Sequence, residues 1–393
     1  MKFNILMMSM AISLAVLPAC EQNEMFVEDY YDCGFTYADS SAIHPNAAAY
    51  QTILDRNRKL GIVGATMMIK DAHGTWVGAS GMADIASDVE VNPCNTFLIA
   101  SISKVFTATV VFKLVDEGLL SLNDPVNKWI EHSITDRIEN VNESTIAHLL
   151  AHTSGIPDYY TLQFELDRIN RIDNDWQQED VLKYTYGKKA THAVGETYYY
   201  SNTNFLLLGM IIESATGNTL AKAYDTRVFT PAGLASAYYD TEVPIPSGTV
   251  KGYVDIYGND QYVESEFLYK DELNTADGGI AINAYDLGLF FEQLMKGELI
   301  SAQSMQDMTN WFDLPEGWED EDFGHFQNGL GLEHNRTPYG NSVGHTGGID
   351  GFLSIAQYFP EQDATFVLLV NSGSYVNLPR LNIYRESLEV MFK

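Results

Sequence analysis

The chemistry of this sequence begins with a serine and a lysine one helical turn apart. Ser101-Ile102-Ser103-Lys104 is its only Ser-x-x-Lys. On a helix, positions i and i+3 share a face, within hydrogen-bond reach. A serine hydroxyl is a poor nucleophile until a neighbour takes its proton. A lysine in an apolar pocket can lose enough basicity to be that neighbour. A serine at a helix start also places a developing oxyanion beside free backbone N–H groups.

Two further motifs supply the remaining parts of such a site. Tyr200-Ser201-Asn202 follows Gly195-Glu196-Thr197 and precedes the apolar run Phe205 to Ile212, so it reads as a turn entering a helix. Tyr200 there can relay a proton to a leaving group, and Asn202 can hold Lys104 and a substrate amide. Tyr-x-Asn also occurs at Tyr257, Tyr339 and Tyr375, and context selects Tyr200. Gly344-His345-Thr346-Gly347-Gly348 ends a short strand, and its glycines let another backbone approach closely. His345 and Thr346 can bind a substrate carboxylate or carbonyl. The N–H of Gly348 can pair with that of Ser101 as an oxyanion hole.

Two patterns compete with these. Gly340-Asn341-Ser342-Val343-Gly344 spells a nucleophile elbow, but Gly347-Gly348 soon after it starts a helix poorly, as that motif requires. His148 and His152 stand at i and i+4, yet no glutamate lies between them as in His-Glu-x-x-His. Packing and capping around Ser154-Gly155 is the reading preferred for them. No metal site follows, and without a phosphate-binding or dinucleotide fingerprint no cofactor is expected.

The elements that must position these residues fall into three blocks. Ile43 to Leu60 reads as a helix. Thr66 to Lys70 and Thr75 to Gly78 flank Asp71-Ala72-His73-Gly74 as a hairpin. Ser101 opens a helix, with Ile102, Val105, Phe106, Thr109, Leu114 and Val115 at helical spacing, that Gly118 can stop. So few polar residues predict burial on most sides. Residues 119–235 are helix-rich. Asn341 to His345, Phe352 to Tyr358 and Thr365 to Val370 read as three strands, and Leu381 to Phe392 as a closing amphipathic helix. A sheet built from both chain ends, with helices inserted, gives an α/β (α+β) fold.

Ser101-x-x-Lys104, Tyr200-x-Asn202 and His345-Thr346-Gly347 stand in the order and rough spacing of the serine β-lactamase and penicillin-binding protein superfamily. The branch resembled is that of class C β-lactamases, DD-carboxypeptidases and related esterases. His148 to Pro157 and Asp277-Gly278-Gly279 with Asp286-Leu287 resemble further shared stretches. The resemblance implies a catalytic domain over 41–393, with a sheet region at 41–104 and 281–393 and a helical region at 105–280. It implies an acyl-enzyme on Ser101, with Lys104 and Tyr200 catalytic. Asn202, His345, Thr346 and Gly347 would bind substrate, and Ser101 and Gly348 would form the oxyanion hole. Class C β-lactamases usually carry lysine where this chain has His345, which argues against efficient β-lactam hydrolysis. A D-amino-acid peptide of cell-wall type is the favoured substrate, ahead of an ester and then a β-lactam. A sensor or scaffold that acylates without turnover is the non-enzymatic alternative.

The balance of 23 Lys+Arg against 53 Asp+Glu, net −30, opposes binding to nucleic acid or anionic lipid. Lys2 and the apolar run Ile5 to Leu17 read as a signal peptide over 1–19. Leu17-Pro18-Ala19-Cys20 resembles a lipobox. Cys20 would then carry lipid, residues 20–40 would be a tether, and the protein would be anchored in the cell envelope or periplasm. Without lipid, cleavage after Ala19 leaves a free thiol. An exported chain can pair Cys33 with Cys94 or bury both as thiols. A peptide or small-molecule substrate is the one partner implied, and no oligomeric state follows.

Overall fold

A computed structural model describes residues 41–170, 178–239, 248–259, 261–266, 275–319, 323–373 and 380–393. The leader, the tether, Cys20 and Cys33 lie outside these. Among the described residues no helix is long and apolar enough to cross a membrane.

Nine antiparallel strands form the main sheet. Three precede Ser101: β1 (Gly64–Asp71), β2 (Gly74–Asp84) and β3 (Val89–Glu90). A short pair, β4 (Phe97–Leu98) with β5 (Ala281–Ile282), lies apart from the main sheet. The other six main strands are β6 (Phe312–Asp313), β7 (His325–Asn328), β8 (Glu333–Thr337), β9 (Gly340–Ile349), β10 (Phe352–Phe359) and β11 (Ala364–Val370). Their order is β3-β2-β1-β11-β10-β9-β8-β7-β6, so the two chain ends meet where β1 pairs with β11. The expected hairpin is present, with Asp71 facing Gly74 across a two-residue loop. Strands β6 to β8 escaped the sequence reading; they are short, polar and punctuated by glycine.

Period-two alternation buries both faces. On β11, Phe366, Leu368 and Val370 pack with Tyr50, Leu54, Ile383 and Leu388 from helices α1 (Ala47–Arg58) and α7 (Arg380–Phe392). Val367 and Leu369 point the other way, into the larger core. There lie α2 (Ser103–Asp116), α3 (Ile146–Leu150), α5 (Asn202–Thr216) and α6 (Ala284–Met295), while α4 (Leu162–Asn170) contributes Phe164. Helix α1 starts at Ala47, later than Ile43, because Pro45 disfavours helical geometry at the residue before it.

Helix α2 is the hub. Eleven of its fourteen residues are buried, as its composition predicts. Phe106 stacks on Phe290 of α6 with centroids 3.7 Å apart. Any buried polar side chain on α2 must therefore be paired inside the protein.

Candidate active site

Ser101 does not open α2 itself. It sits in a 3-10 turn, Ala100–Ile102, immediately before it. Ala100 has φ 49, a left-handed conformation that costs energy for a residue with a Cβ. That kink turns Ser101 out of β4 and into a cleft. Ser103 fixes the turn from behind, its hydroxyl accepting from the Ile280 N–H at 3.1 Å.

Lys104 is fully buried on the first turn of α2. Its Nζ donates to Ser101 Oγ at 3.0 Å and to the Asp277 carbonyl at 2.8 Å. It stands 3.8 Å from Asp277 Oδ2 and 5.2 Å from the centroid of the Tyr200 ring. Serine and lysine are thus brought together as their spacing predicts. The backbone anchor for the lysine comes from Asp277, while Asn202 donates to Asp158 at 3.0 Å.

Tyr200 enters from the turn before α5. Its ring stacks on His152, 4.4 Å between centroids and 25° between planes. His152 Nδ1 accepts the Ser201 N–H at 3.1 Å, so this histidine clamps the tyrosine turn. Burial, and then the charge of Lys104, hold His152 well below the usual histidine range. Burial likewise pushes the Tyr200 hydroxyl well above its ordinary value. A hydrogen bond with Ser101 pulls it back, and the carboxylates of Glu333, Asp277 and Asp158 add to the rise. Tyr200 therefore keeps its proton at neutral pH. His148 caps α3, taking the Thr145 N–H at 3.2 Å. Both histidines of the apparent metal pair are occupied in structure. Among the described residues no His/Cys/Asp/Glu group is arranged to hold a metal ion.

The glycine motif forms the opposite wall. Strand β9 does not end at His345 but runs through Gly347 and Gly348 to Ile349. The glycines are there for close packing rather than a turn. A Cβ on Gly347 would lie 2.2 Å from Ser354 Oγ and 2.3 Å from the Ile99 carbonyl. This contact presses β9 against the nucleophile turn. His345 is buried and bonds through Nδ1 to the Thr346 carbonyl at 2.5 Å. Burial, followed by the Lys104 charge, depresses it to about 3. It is a neutral ring near pH 7, and Glu333 lies 3.5 Å from its Nδ1.

Two cavities meet at Ser101, Tyr200 and Gly348. The first is lined by Tyr159, Tyr160, Asn202, Asp277 and Asp350. The second is lined by Glu333, His345, Thr346, Gly347 and Arg380.

Several site residues were missed by sequence reasoning. Asp277 was noted as part of a shared stretch but given no role. Asp158 carries no motif, although burial raises it to about 6, against the N–H of Tyr160 and with help from Asp277. Arg168 of α4 pairs with Asp350 at 2.7 Å, both buried, joining the helical layer to the β9–β10 turn. Such distant pairs leave no spacing signal. Ser342, the competing nucleophile, is buried in β9 and bonded to Gln357. Cys94 is disulfide-bonded, to a partner outside the described residues.

A Ser-x-x-Lys at the foot of a buried helix, faced by a tyrosine turn and a His-Thr-Gly strand, is the arrangement of the serine beta-lactamase/transpeptidase-like superfamily. The chain belongs to the beta-lactamase family, whose description "Beta-lactamase" matches residues 49–388 and whose members are serine hydrolases. It is 34% identical over 173 residues to Protein flp of Staphylococcus aureus (strain MRSA252), covering 44% of this chain and 34% of that protein. It is 29% identical over 303 residues to penicillin-binding protein 4* of Bacillus subtilis (strain 168), covering 74% of this chain and 64% of that one. The chain thus spans less than two thirds of each. The D-stereospecific amidohydrolase of Streptomyces sp. superposes with TM-score 0.75 at 26% identity, over 88% of this chain and 99% of its own.

Proposed function

We propose that the protein is an exported acyl-transferring hydrolase in which Ser101 attacks an amide carbonyl of a D-amino-acid peptide. Lys104 takes the proton as the Ser101 Oγ–carbonyl bond forms. The oxyanion rests on the N–H groups of Ser101 and Gly348. Tyr200, still protonated, passes its proton to the departing nitrogen and recovers one from Lys104. The carbon–nitrogen bond breaks, and water releases the acyl group by the reverse relay. Asn202 holds the acyl-side amide, while His345, Thr346 and Gly347 line the other side.

The observation that carries this reading is the 3.0 Å contact between Ser101 Oγ and a fully buried lysine amine. A lysine reaching for water has no reason to lie there. The D-stereospecificity in the name of the Streptomyces neighbour supports the choice of substrate. The neutral His345, in place of a permanent cation, weighs against a β-lactamase.

The test is a panel of a fluorescent penicillin, nitrocefin, a D-Ala-D-Ala peptide and a p-nitrophenyl ester, with wild type and Ser101→Ala. Peptide cleavage lost in Ser101→Ala is expected. Ester cleavage alone overturns the peptidase assignment, labelling without turnover makes the protein a sensor, and activity surviving in Ser101→Ala removes the mechanism. We further propose that residues 1–19 are cleaved, that Cys20 carries lipid in the cell envelope, and that Cys33 is the partner of Cys94. Intact mass of the mature protein, before and after reduction, tests all three.

A further inference from the structure

The amide of Asn202 is held one way round. Its Nδ2 donates to Asp158 Oδ2 at 3.0 Å, while Asp158 Oδ1 accepts the Tyr160 N–H at 3.1 Å. Burial raises Asp158 only to about 6, so at pH 7 it is mostly a carboxylate. A carboxylate accepts and cannot donate, and such a partner tells the two ends of an amide apart. The nitrogen of Asn202 is turned to Asp158, and its carbonyl oxygen is the end left for the cavity that Asn202 lines.

The rest of that wall has the same polarity. Asp277 and Asp350 line it beside Tyr159, Tyr160 and Tyr200, and among the described residues no basic side chain lines it. The nearby cations are engaged elsewhere. Arg168 pairs with Asp350 at 2.7 Å, and Lys104 donates to Ser101 and to the Asp277 carbonyl. Lys188 feels the Asp158 charge, but burial lowers it by more. Asp277 Oδ1 is buried with no hydrogen-bond partner among the described residues. Such a wall offers acceptors and negative charge. An ammonium supplies several N–H donors and positive charge at once, and tyrosine rings tolerate a cation beside them.

We infer that Asp158 is a specificity-determining residue: by holding Asn202 with its carbonyl toward the cavity, it makes the acyl side an acceptor site for an unblocked amine. The nitrogen held there is then a terminal ammonium, and the enzyme releases single D-amino acids from the amine end of its substrates. This deepens the acyl-transfer reading above and rests on it. Asp158 acts through Asn202 and is a positioning residue, not a catalytic one.

Two chromogenic substrates test it, D-alanine p-nitroanilide and its N-acetyl derivative, compared at pH 7, where the free amine is largely protonated. Wild-type kcat/KM should favour the free amine by about tenfold or more, mainly through KM, the scale of one charge-assisted hydrogen bond. Asp158→Asn can still accept the Tyr160 N–H, but it loses the charge and lets the Asn202 amide turn over. It should collapse the ratio toward one. A merely structural defect lowers both substrates in parallel and leaves the ratio intact. If Asp158→Asn fails to fold, Asn202→Ala reads the same relay from its other end and should also collapse the ratio. A wild type that treats the two alike or prefers the acetylated one, or a ratio that survives these substitutions, overturns the assignment. Ser101-dependent cleavage with no amine preference sinks Asp158 alone, as does failure to cleave either anilide while a penicillin still labels Ser101. Absence of any Ser101 acylation removes the acyl-transfer reading as well.

Discussion

Lys104 is tied to Asp277 twice. Its amine donates to that residue's carbonyl at 2.8 Å and stands 3.8 Å from its carboxylate, which is itself fixed by the Tyr159 hydroxyl at 2.9 Å. The carbonyl sets where the amine sits; the carboxylate acts on its charge. On the proposed mechanism, the ammonium that forms when Ser101 gives up its proton would face a negative group.

The same carboxylate favours the ammonium before reaction, when the amine must be free to accept a proton. Asp277→Asn keeps the carbonyl and removes the charge. Deprotonation of Lys104 becomes easier, so the ascending limb of kcat/KM against pH should move to lower pH. The plateau should fall, because the newly charged lysine loses its partner. A pH–rate profile on an uncharged ester reads both. A limb that stays in place shows that Asp277 acts on Lys104 only through its backbone.

Gly347→Ala tests the seam between β9 and the nucleophile turn. The added Cβ meets Ser354 Oγ at 2.2 Å and the Ile99 carbonyl at 2.3 Å, so one side must move. Either shift would disturb the oxyanion hole proposed for the N–H groups of Gly348 and Ser101. Loss of one oxyanion donor lowers kcat by about 10² to 10³, and overpacking costs about 1–3 kcal/mol of stability. Acylation rate and thermal unfolding measured on one preparation separate the effects. A variant that acylates at the wild-type rate removes Gly348 from the oxyanion hole.

The contrast between what was readable and what was not is physical. Ser101 and Lys104 are three residues apart on one helix, so their contact is local and written in spacing. The alternation along β9 to β11 fixes inward and outward faces, which made the sheet legible. Asp277 lies far along the chain from Lys104, and Asp350 from Arg168. Those partnerships exist only once the helical layer packs on the sheet. The strand through Gly347-Gly348 was hidden for a different reason: glycine signals a turn and a close approach equally well, and only the packing of Ser354, 2.2 Å from where a Cβ would stand, distinguishes them.

Buried neutral histidines make stability sensitive to acid. His345 is depressed from 6.5 to about 3, and His152 lies well below 6.5, each chiefly by burial. The unfolded chain therefore binds protons that the folded one refuses, and stability drains as pH falls from about 6.5 toward 3. Asp158 opposes this. Raised to about 6, it takes up a proton in the folded state first, adding stability as pH falls from about 6 toward its unfolded range. Burial also lowers His148 and His334 and raises Asp286, so four histidines stand against two carboxyls and the net slope is a loss. Unfolding midpoints across pH 7 to 4 should fall, and His345→Gln should flatten the curve. A flat wild-type curve would falsify the neutral, buried state of these rings.

The Arg168–Asp350 pair gives the last prediction. Its 2.7 Å contact is buried, and it joins α4 to the turn just beyond Gly348. The Arg168 guanidinium also lies 5.6 Å from the Phe164 ring centroid. Removing one partner strands a charge in a dry site, so Arg168→Leu should cost about 3–5 kcal/mol. Asp350→Asn added to Arg168→Leu should recover part of that loss, because no unpaired charge remains. If the pair serves only stability, the double variant should hydrolyse substrate at the wild-type rate. The structure argues otherwise: Asp350 lines the cavity on the Asn202 side, and its turn carries the strand end that holds the Gly348 N–H. The double variant should therefore be near native in unfolding and clearly impaired in acylation, a split that a purely structural tie cannot produce.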